Sequence, residues 1–187
     1  MNRYAELASA QPEAFKDDVD TARELLAEVG RRAAQSLLDQ GTRLAEEERH
    51  DQAIDTYQQL IDSFEHDPDP ALSEAAAIAL LNKGVMLERQ QEPDHAIGTY
   101  QQLIDHFGDS PHPALRRRAA NAMTYQGRVL AERQRFQEAA QVVERAVTAY
   151  QELAMADPGA VGENLESARR LLAQVGRLAA EPRPTEG

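Results

Sequence analysis

Histidines are the side chains of this 187-residue chain best suited to metal binding or proton transfer. A helical zinc site usually places two histidines four residues apart, with a supporting carboxylate on the same face. No pair here has that arrangement. The pair His106 and His112 is close enough in sequence to meet beside Asp109, but a loop of ordinary polar residues explains it more simply. We predict no metal site and no catalytic role for any of the five: His50, His66, His95, His106 and His112.

Other common catalytic patterns are also missing from the sequence. The chain has no cysteine, which excludes a disulfide framework and a thiolate nucleophile or ligand. It has no glycine-rich phosphate loop and no nucleophile elbow. The acidic run from Glu46 to Glu48 is typical of a solvated helix end. We therefore predict no enzyme and no cofactor, while a site assembled from distant residues is left open.

The elements that position these side chains are copies of one another. The segment AIDTYQQLIDSF, Ala53 to Phe64, recurs as AIGTYQQLIDHF, Ala96 to Phe107, with ten of twelve residues identical at an offset of 43. A fainter third copy ends at Tyr150. Upstream of each copy a glycine is followed three residues later by leucine. Self-similarity at this period indicates a repeat architecture with two helices per repeat. The aligned pairs are Gly41 and Leu44, Gly84 and Leu87, and Gly127 and Leu130.

Apolar spacing and turn residues predict the helix boundaries. Residues 53, 54, 57, 60, 61 and 64 are apolar and form one continuous stripe on a helix, which a neighbouring helix must cover. Asp69 is a suitable N-cap and Pro70 a suitable first residue for the next helix. We predict first helices over Ala33–Glu48, Pro70–Gln90 and Pro113–Gln134, and second helices over Gln52–Glu65, Asp94–Phe107 and Phe136–Ala156.

The repeats are expected to be flanked by capping elements. We predict flanking helices in residues 1–32, interrupted at Gln11-Pro12 and broken again at Gly30, because glycine costs a helix about 1 kcal/mol. The repeats then occupy 33–69, 70–112 and 113–156. Residues 157–180 hold a capping helix, Asn164–Ala180, and residues 181–187, with two prolines, are expected to be a disordered tail.

The two ends of the chain resemble each other at a different offset. Residues 4–34 match residues 150–180 at 17 of 31 positions, an offset of 146. Shared ancestry within a longer array explains this match, and so does shared capping geometry. End-to-end association through the terminal helices is therefore left open as a way to form a homo-oligomer.

Charge and hydropathy restrict the classes of binding partner that this chain can have. The net charge is −12, and residues 1–70 carry 17 acidic and 7 basic side chains. Six arginines lie between Pro111 and Arg135 against the single acidic Glu132, but a solvated helix face explains them. An acidic chain is a poor general binder of nucleic acid. We find neither a secretion signal nor a run of about 18 apolar residues, so we predict a cytoplasmic protein without nucleic-acid or membrane partners.

The repeat pattern resembles the tetratricopeptide repeat (TPR) family. The resemblance rests on four positions of each repeat. The first helix has Gly and, three residues later, Leu, and the second helix has Ala followed by an aromatic residue. The 43-residue spacing exceeds the usual 34 and is similar to extended repeats of bacterial members. The resemblance implies an all-α, right-handed α-solenoid of antiparallel helix pairs. The matching positions are Leu37, Gly41, Leu44, Ala53 and Tyr57; Leu80, Gly84, Leu87, Ala96 and Tyr100; and Met123, Gly127, Leu130 and Ala139, where Val143 replaces the aromatic.

The same resemblance implies a non-catalytic scaffold or adaptor that binds a peptide or partner helix on the concave surface of its first helices. Positions Leu38 and Thr42 replace the Lys and Asn with which some members clamp a chaperone tail, so that ligand is not expected. Burial of Leu81 and Val85 by neighbouring helices would leave no apolar groove. Alternatives are a structural subunit that self-assembles and a small-ligand sensor or accessory domain of an enzyme. The implied groove residues are Leu38, Thr42, Ala45, Ile78, Leu81, Val85, Arg89, Asn121, Thr124, Arg128 and Glu132.

Overall fold

A computed structural model describes residues 16–180, which form seven α-helices and, within that range, no strand. Residues 1–15, with the predicted interruption at Gln11-Pro12, and the predicted tail 181–187 lie outside the described residues. The helices are α1 Lys16–Glu46, α2 His50–Phe64, α3 Pro70–Arg89, α4 Pro93–Phe107, α5 Pro113–Glu132, α6 Phe136–Ala156 and α7 Pro158–Ala180. The second half of α1 pairs with α2, α3 with α4 and α5 with α6, so the helix pairs predicted from the sequence are present.

The pairs stack into an all-α solenoid. The Cα atoms of neighbouring first helices (α1, α3 and α5) approach within 8 Å, whereas those of neighbouring second helices (α2, α4 and α6) do not. Because the first helices lie closer together, the stack curves with the first helices on its inner side. The capping helix α7 packs on α6 and reaches α5, so it closes the array at the third repeat.

Each helix pair is joined by the same tight turn. Its middle residue is Glu48, Gln91 or Gln134, with φ of 59°, 61° and 59°, the left-handed conformation common just after a helix. The following amide donates to the leucine carbonyl five residues back at 2.9 Å, as from Arg49 to Leu44. The linker between the first and second repeats uses a side-chain cap instead, since Asp69 accepts a hydrogen bond from the Ala71 amide at 2.9 Å, as predicted.

Within each pair the two helices meet at glycine. A Cβ added at Gly84 would lie 2.6 Å from Cζ of Tyr100, and one added at Gly41 would lie 2.5 Å from Cε1 of Tyr57. At Gly127 the added atom would overlap Cγ2 of Val143. These second-helix residues are at most 1% exposed, so the bulky side chain of one helix occupies the space that glycine leaves on the other.

The stripe of the second helices is covered as the repeat predicts. Leu60 and Leu103 occupy equivalent positions, and both are fully buried, as are Ala53 and Ala96 at the crossing with the first helix. The core is continuous from Ala34 to Val175. Alanines supply much of it on α3 and α5, which lets the helix axes approach closely.

Two boundary predictions are wrong. The helix does not break at Gly30, since α1 is continuous from Lys16 to Glu46. Gly30 packs against Leu72, and a Cβ added at Gly30 would lie 3.2 Å from Cδ1 of Leu72. Tertiary packing thus offsets the propensity cost. The last helix begins at Pro158 instead of Asn164, because the carboxylate of Asp157 accepts hydrogen bonds from the amides of Gly159 and Ala160 at 3.1 and 3.2 Å. Asp157 therefore caps α7.

The glycine contacts generate a paired stability prediction. Gly84→Ala should lower the free energy of unfolding by about 1–3 kcal/mol, because the new methyl overpacks the buried Tyr100 ring. Gly98→Ala is the control, since Gly98 is in α4 with no atom near the added methyl, and it should raise stability by roughly 0.5–1 kcal/mol. Urea unfolding followed by circular dichroism measures both. Equal effects of the two substitutions would contradict the packing assignment.

Candidate binding groove

All eleven residues predicted to line the groove lie on the first helices α1, α3 and α5, and none of them is buried. The apolar members Leu38, Ala45, Leu81 and Val85 are half-buried and pack at their base against the core. Thr42, Arg89 and Glu132 are exposed, and the remaining four are half-buried. Leu81 and Val85 are therefore not sealed by their neighbours. We call this set of eleven residues the concave groove.

A polar network connects the second and third repeats at the groove. The carboxylate of Glu88 accepts hydrogen bonds from the Tyr100 hydroxyl at 2.5 Å and from Arg128 at 2.7 Å. The guanidinium of Arg128 also pairs with Glu132 at 3.3 Å and lies 5.5 Å from the ring centroid of Tyr125. Both carboxylates offset its charge. Arg128 thus offers oriented N–H donors more than a free positive charge.

The tyrosine of this network is held protonated. Burial, followed by the hydrogen bond to Glu88, raises the pKa of Tyr100 far above its ordinary value of 10. Its ring also stacks on Tyr125, with centroids 5.8 Å apart and planes at 20°. The hydroxyl therefore remains a hydrogen-bond donor to Glu88. The network fixes the Tyr100 ring against Gly84 and orients Arg128 of the third repeat toward Glu88 of the second.

The groove ends in a cavity of about 450 Å³ where α5, α6 and α7 meet. We call it the repeat-three pocket. Its lining contains three predicted groove residues, Asn121, Thr124 and Arg128. The other lining residues are Tyr125, Tyr150, Glu163, Asn164, Ser167 and Leu171. Six of the nine lining residues carry a hydroxyl or an amide group, whereas the half-buried groove residues of the first two repeats are apolar.

Asn121 anchors the floor of the repeat-three pocket. Its side-chain oxygen accepts hydrogen bonds from the Tyr150 hydroxyl at 2.6 Å and from the Asn164 amide at 3.1 Å. Burial raises the pKa of Tyr150 to about 12, and the neighbouring polar side chains of Thr124 and Asn164 oppose this shift only in part. Tyr150 is therefore a neutral donor at physiological pH. The three side chains form one fixed polar surface across three helices.

The sequence contains a signal for this pocket that the motif comparison does not use. Tyr150 replaces Phe64 and Phe107 of the other repeats, and Asn121 replaces Ile78. The tyrosine replaces an apolar residue of both other repeats, whereas the asparagine replaces an apolar residue of repeat two only, since repeat one has Gln35 there. The structure shows that the Tyr150 hydroxyl donates a hydrogen bond to the Asn121 side chain. The contributions of Asn164 and Ser167 depend on how α7 packs, which the repeat pattern does not specify.

Comparison with known proteins places the chain in a family. The family model described as tetratricopeptide repeat matches residues 38–111 and 112–154. The chain belongs to the tetratricopeptide repeat family, whose members generally mediate protein–protein interactions and typically act as non-catalytic scaffolds. None of the curated proteins matches the chain significantly. Among residues 16–180, no helix combines the length and apolar character needed to cross a membrane.

Two solved structures are similar to this chain. One is the C-terminal TPR-containing domain of a Plasmodium falciparum protein described as FK506-binding, with 16% identity, a TM-score of 0.45, and coverage of 82% of this chain and 95% of that chain. The other is BtubC (BKLC) from P. vanneervenii, with 15% identity, a TM-score of 0.49, and coverage of 97% of this chain and 82% of that one.

Proposed function

We propose that this protein is a non-catalytic adaptor that binds a peptide or partner helix in the concave groove. The observation that carries the proposal is the change of character along the inner surface of the solenoid. Half-buried Leu38, Leu81 and Val85 form an apolar strip over the first two repeats, and the repeat-three pocket follows with oriented polar groups. Such a surface suits a segment with apolar anchors followed by a polar side chain or backbone.

The repeat-three pocket contributes specificity in this proposal. Its volume of about 450 Å³ falls within the range typical of small-ligand sites. However, it shares Asn121, Thr124 and Arg128 with the concave groove. We therefore assign it to one side chain of a bound peptide. Arg128, already oriented by Glu88, would donate to a carbonyl or carboxylate there.

Peptide selection tests the groove. Peptides are selected from a random displayed library on the full chain, and their affinities are measured by fluorescence anisotropy. Leu81→Asp should weaken binding at least about tenfold, because it places a charge where an apolar anchor is buried. The matched control Gln59→Asp adds the same charge at an exposed position of α2 and should leave affinity unchanged.

Circular dichroism establishes that both variants remain folded. Equal binding by the wild type and Leu81→Asp, or a selective loss with Gln59→Asp, would contradict the groove assignment. Failure of the library to yield any enriched peptide would contradict peptide binding itself.

A second candidate function is self-association through α1. The apolar side chains Leu25, Leu26 and Val29 are 63%, 71% and 64% exposed. Their counterparts at the 146-residue offset are Leu171, Leu172 and Val175, which are half-buried or buried in the contact of α7 with α6. The exposed face of α1 thus carries the side chains that α7 uses for helix packing. We propose that a second copy of the chain covers this face.

Sedimentation velocity over a wide concentration range tests this candidate. The wild type should form dimers or larger species as its concentration rises, and Leu26→Lys should remain a monomer because it places a charge in the apolar contact. Gln59→Lys, with the same new charge on α2, should associate like the wild type. A wild type that is monomeric at every concentration would rule out self-association, whatever the groove binds.

A further inference from the structure

Three potential metal ligands meet on the outer surface, away from the concave groove. Glu65 and His66 directly follow α2, and His106 lies in the last turn of α4. One ligand atom from each side chain lies within 4.8 Å of the other two. The imidazole rings of His66 and His106 have centroids 5.2 Å apart, and Nε2 of His66 is 3.5 Å from Oε1 of Glu65.

The stacking of the repeats brings these three side chains together. The two histidines are far apart in sequence, but α2 and α4 are equivalent second helices of adjacent repeats. Their Cα atoms remain more than 8 Å apart, so long side chains must span the space between their ends. Glu65, His66 and His106 do so, and two of them come from one repeat and the third from the next.

A second layer of hydrogen bonds orients two of the three ligands. The side-chain amide of Gln102 donates to Oε2 of Glu65 at 2.9 Å, and the Gln102 backbone carbonyl lies 3.0 Å from Nδ1 of His106. A carbonyl only accepts hydrogen bonds, so Nδ1 of His106 carries the proton and Nε2 keeps its lone pair. Fixing a histidine tautomer and a carboxylate in this way is typical of the groups around bound metals.

We propose that Glu65, His66 and His106 bind a divalent zinc ion, with water as the fourth ligand. Zinc bonds of about 2.0–2.2 Å in a tetrahedral arrangement separate neighbouring ligand atoms by roughly 3.3–3.5 Å. The pair Glu65 and His66 already lies at 3.5 Å. The side chain of His66 is 75% exposed, so it is free to close the remaining distance. Two imidazoles and one carboxylate are ligands that favour zinc over magnesium or calcium.

The ion would cross-link two adjacent repeats. It would connect the end of α2 to the end of α4 on the outer surface, where the backbones of the second helices do not touch. Binding to the folded chain would stabilise it in proportion to the logarithm of the zinc concentration above the dissociation constant. The proposal is independent of groove binding, because the site lies on the opposite side of the solenoid.

Isothermal titration of the chelator-treated full chain with zinc chloride tests the site. The wild type should bind one ion per chain, and His66→Ala and His106→Ala should each weaken binding at least about tenfold. The control His95→Ala/His112→Ala removes two other histidines and should bind like the wild type. Unchanged binding by a His66→Ala/His106→Ala double variant, or equal loss in the control, would overturn the proposal.

Substitution of the orienting glutamine distinguishes a built site from adventitious binding to surface histidines. Gln102→Ala should weaken zinc binding by about 10- to 100-fold, as second-layer changes usually do. Its repeat equivalent Gln59→Ala provides the control and should have no effect. Zinc should also raise the thermal midpoint of the wild type but not of the double histidine variant. A Gln102→Ala variant that binds zinc as tightly as Gln59→Ala would reduce the cluster to adventitious binding.

Discussion

The close approach of two helices at glycine is the contact on which the rest of this structure depends. In each of the three repeats a first-helix glycine receives a bulky second-helix side chain, and any larger residue would collide with it. Two of those side chains are tyrosines and the third is Val143. Side chains that interlock at this distance fix both the separation and the rotation of the pair. The geometry of each helix pair is therefore set by contacts within its own repeat.

Helix pairs that stack with their first helices innermost produce an inner and an outer surface. The inner surface becomes the concave groove, whose apolar base continues into the core, while the outer surface separates the ends of the second helices. The network of Glu88, Tyr100 and Arg128 connects the packing inside a helix pair with the surface that the stacked pairs form. Tyr100 fills the space at Gly84, and Glu88, which accepts its hydrogen bond, also orients Arg128 in the groove. Packing inside one repeat thus positions the Arg128 side chain of the next.

The sequence predicted the repeated parts well, because a 43-residue period constrains every copy at once. Helix pairs, the glycine positions and the cap at Asp69 follow from residue types at fixed offsets. The predicted break at Gly30 and the predicted helix start at Asn164 are wrong, because tertiary packing and the Asp157 side-chain cap decide those boundaries. The repeat-three pocket and the cluster of Glu65, His66 and His106 join residues that only the stacking of helices brings together. The partner and the cytoplasmic location stay predictions.

A double-mutant cycle at Gly127 and Val143 tests the central packing claim most directly, with unfolding free energies measured in urea. Gly127→Ala alone should destabilise by about 1–3 kcal/mol through overpacking, and Val143→Ala alone through the cavity it opens. In the double variant the new methyl occupies the space that Cγ2 of Val143 leaves, so the total loss should be smaller than the sum of the two by about 1 kcal/mol or more. Losses that add within about 0.3–0.5 kcal/mol would show that the two residues do not meet and would contradict the account.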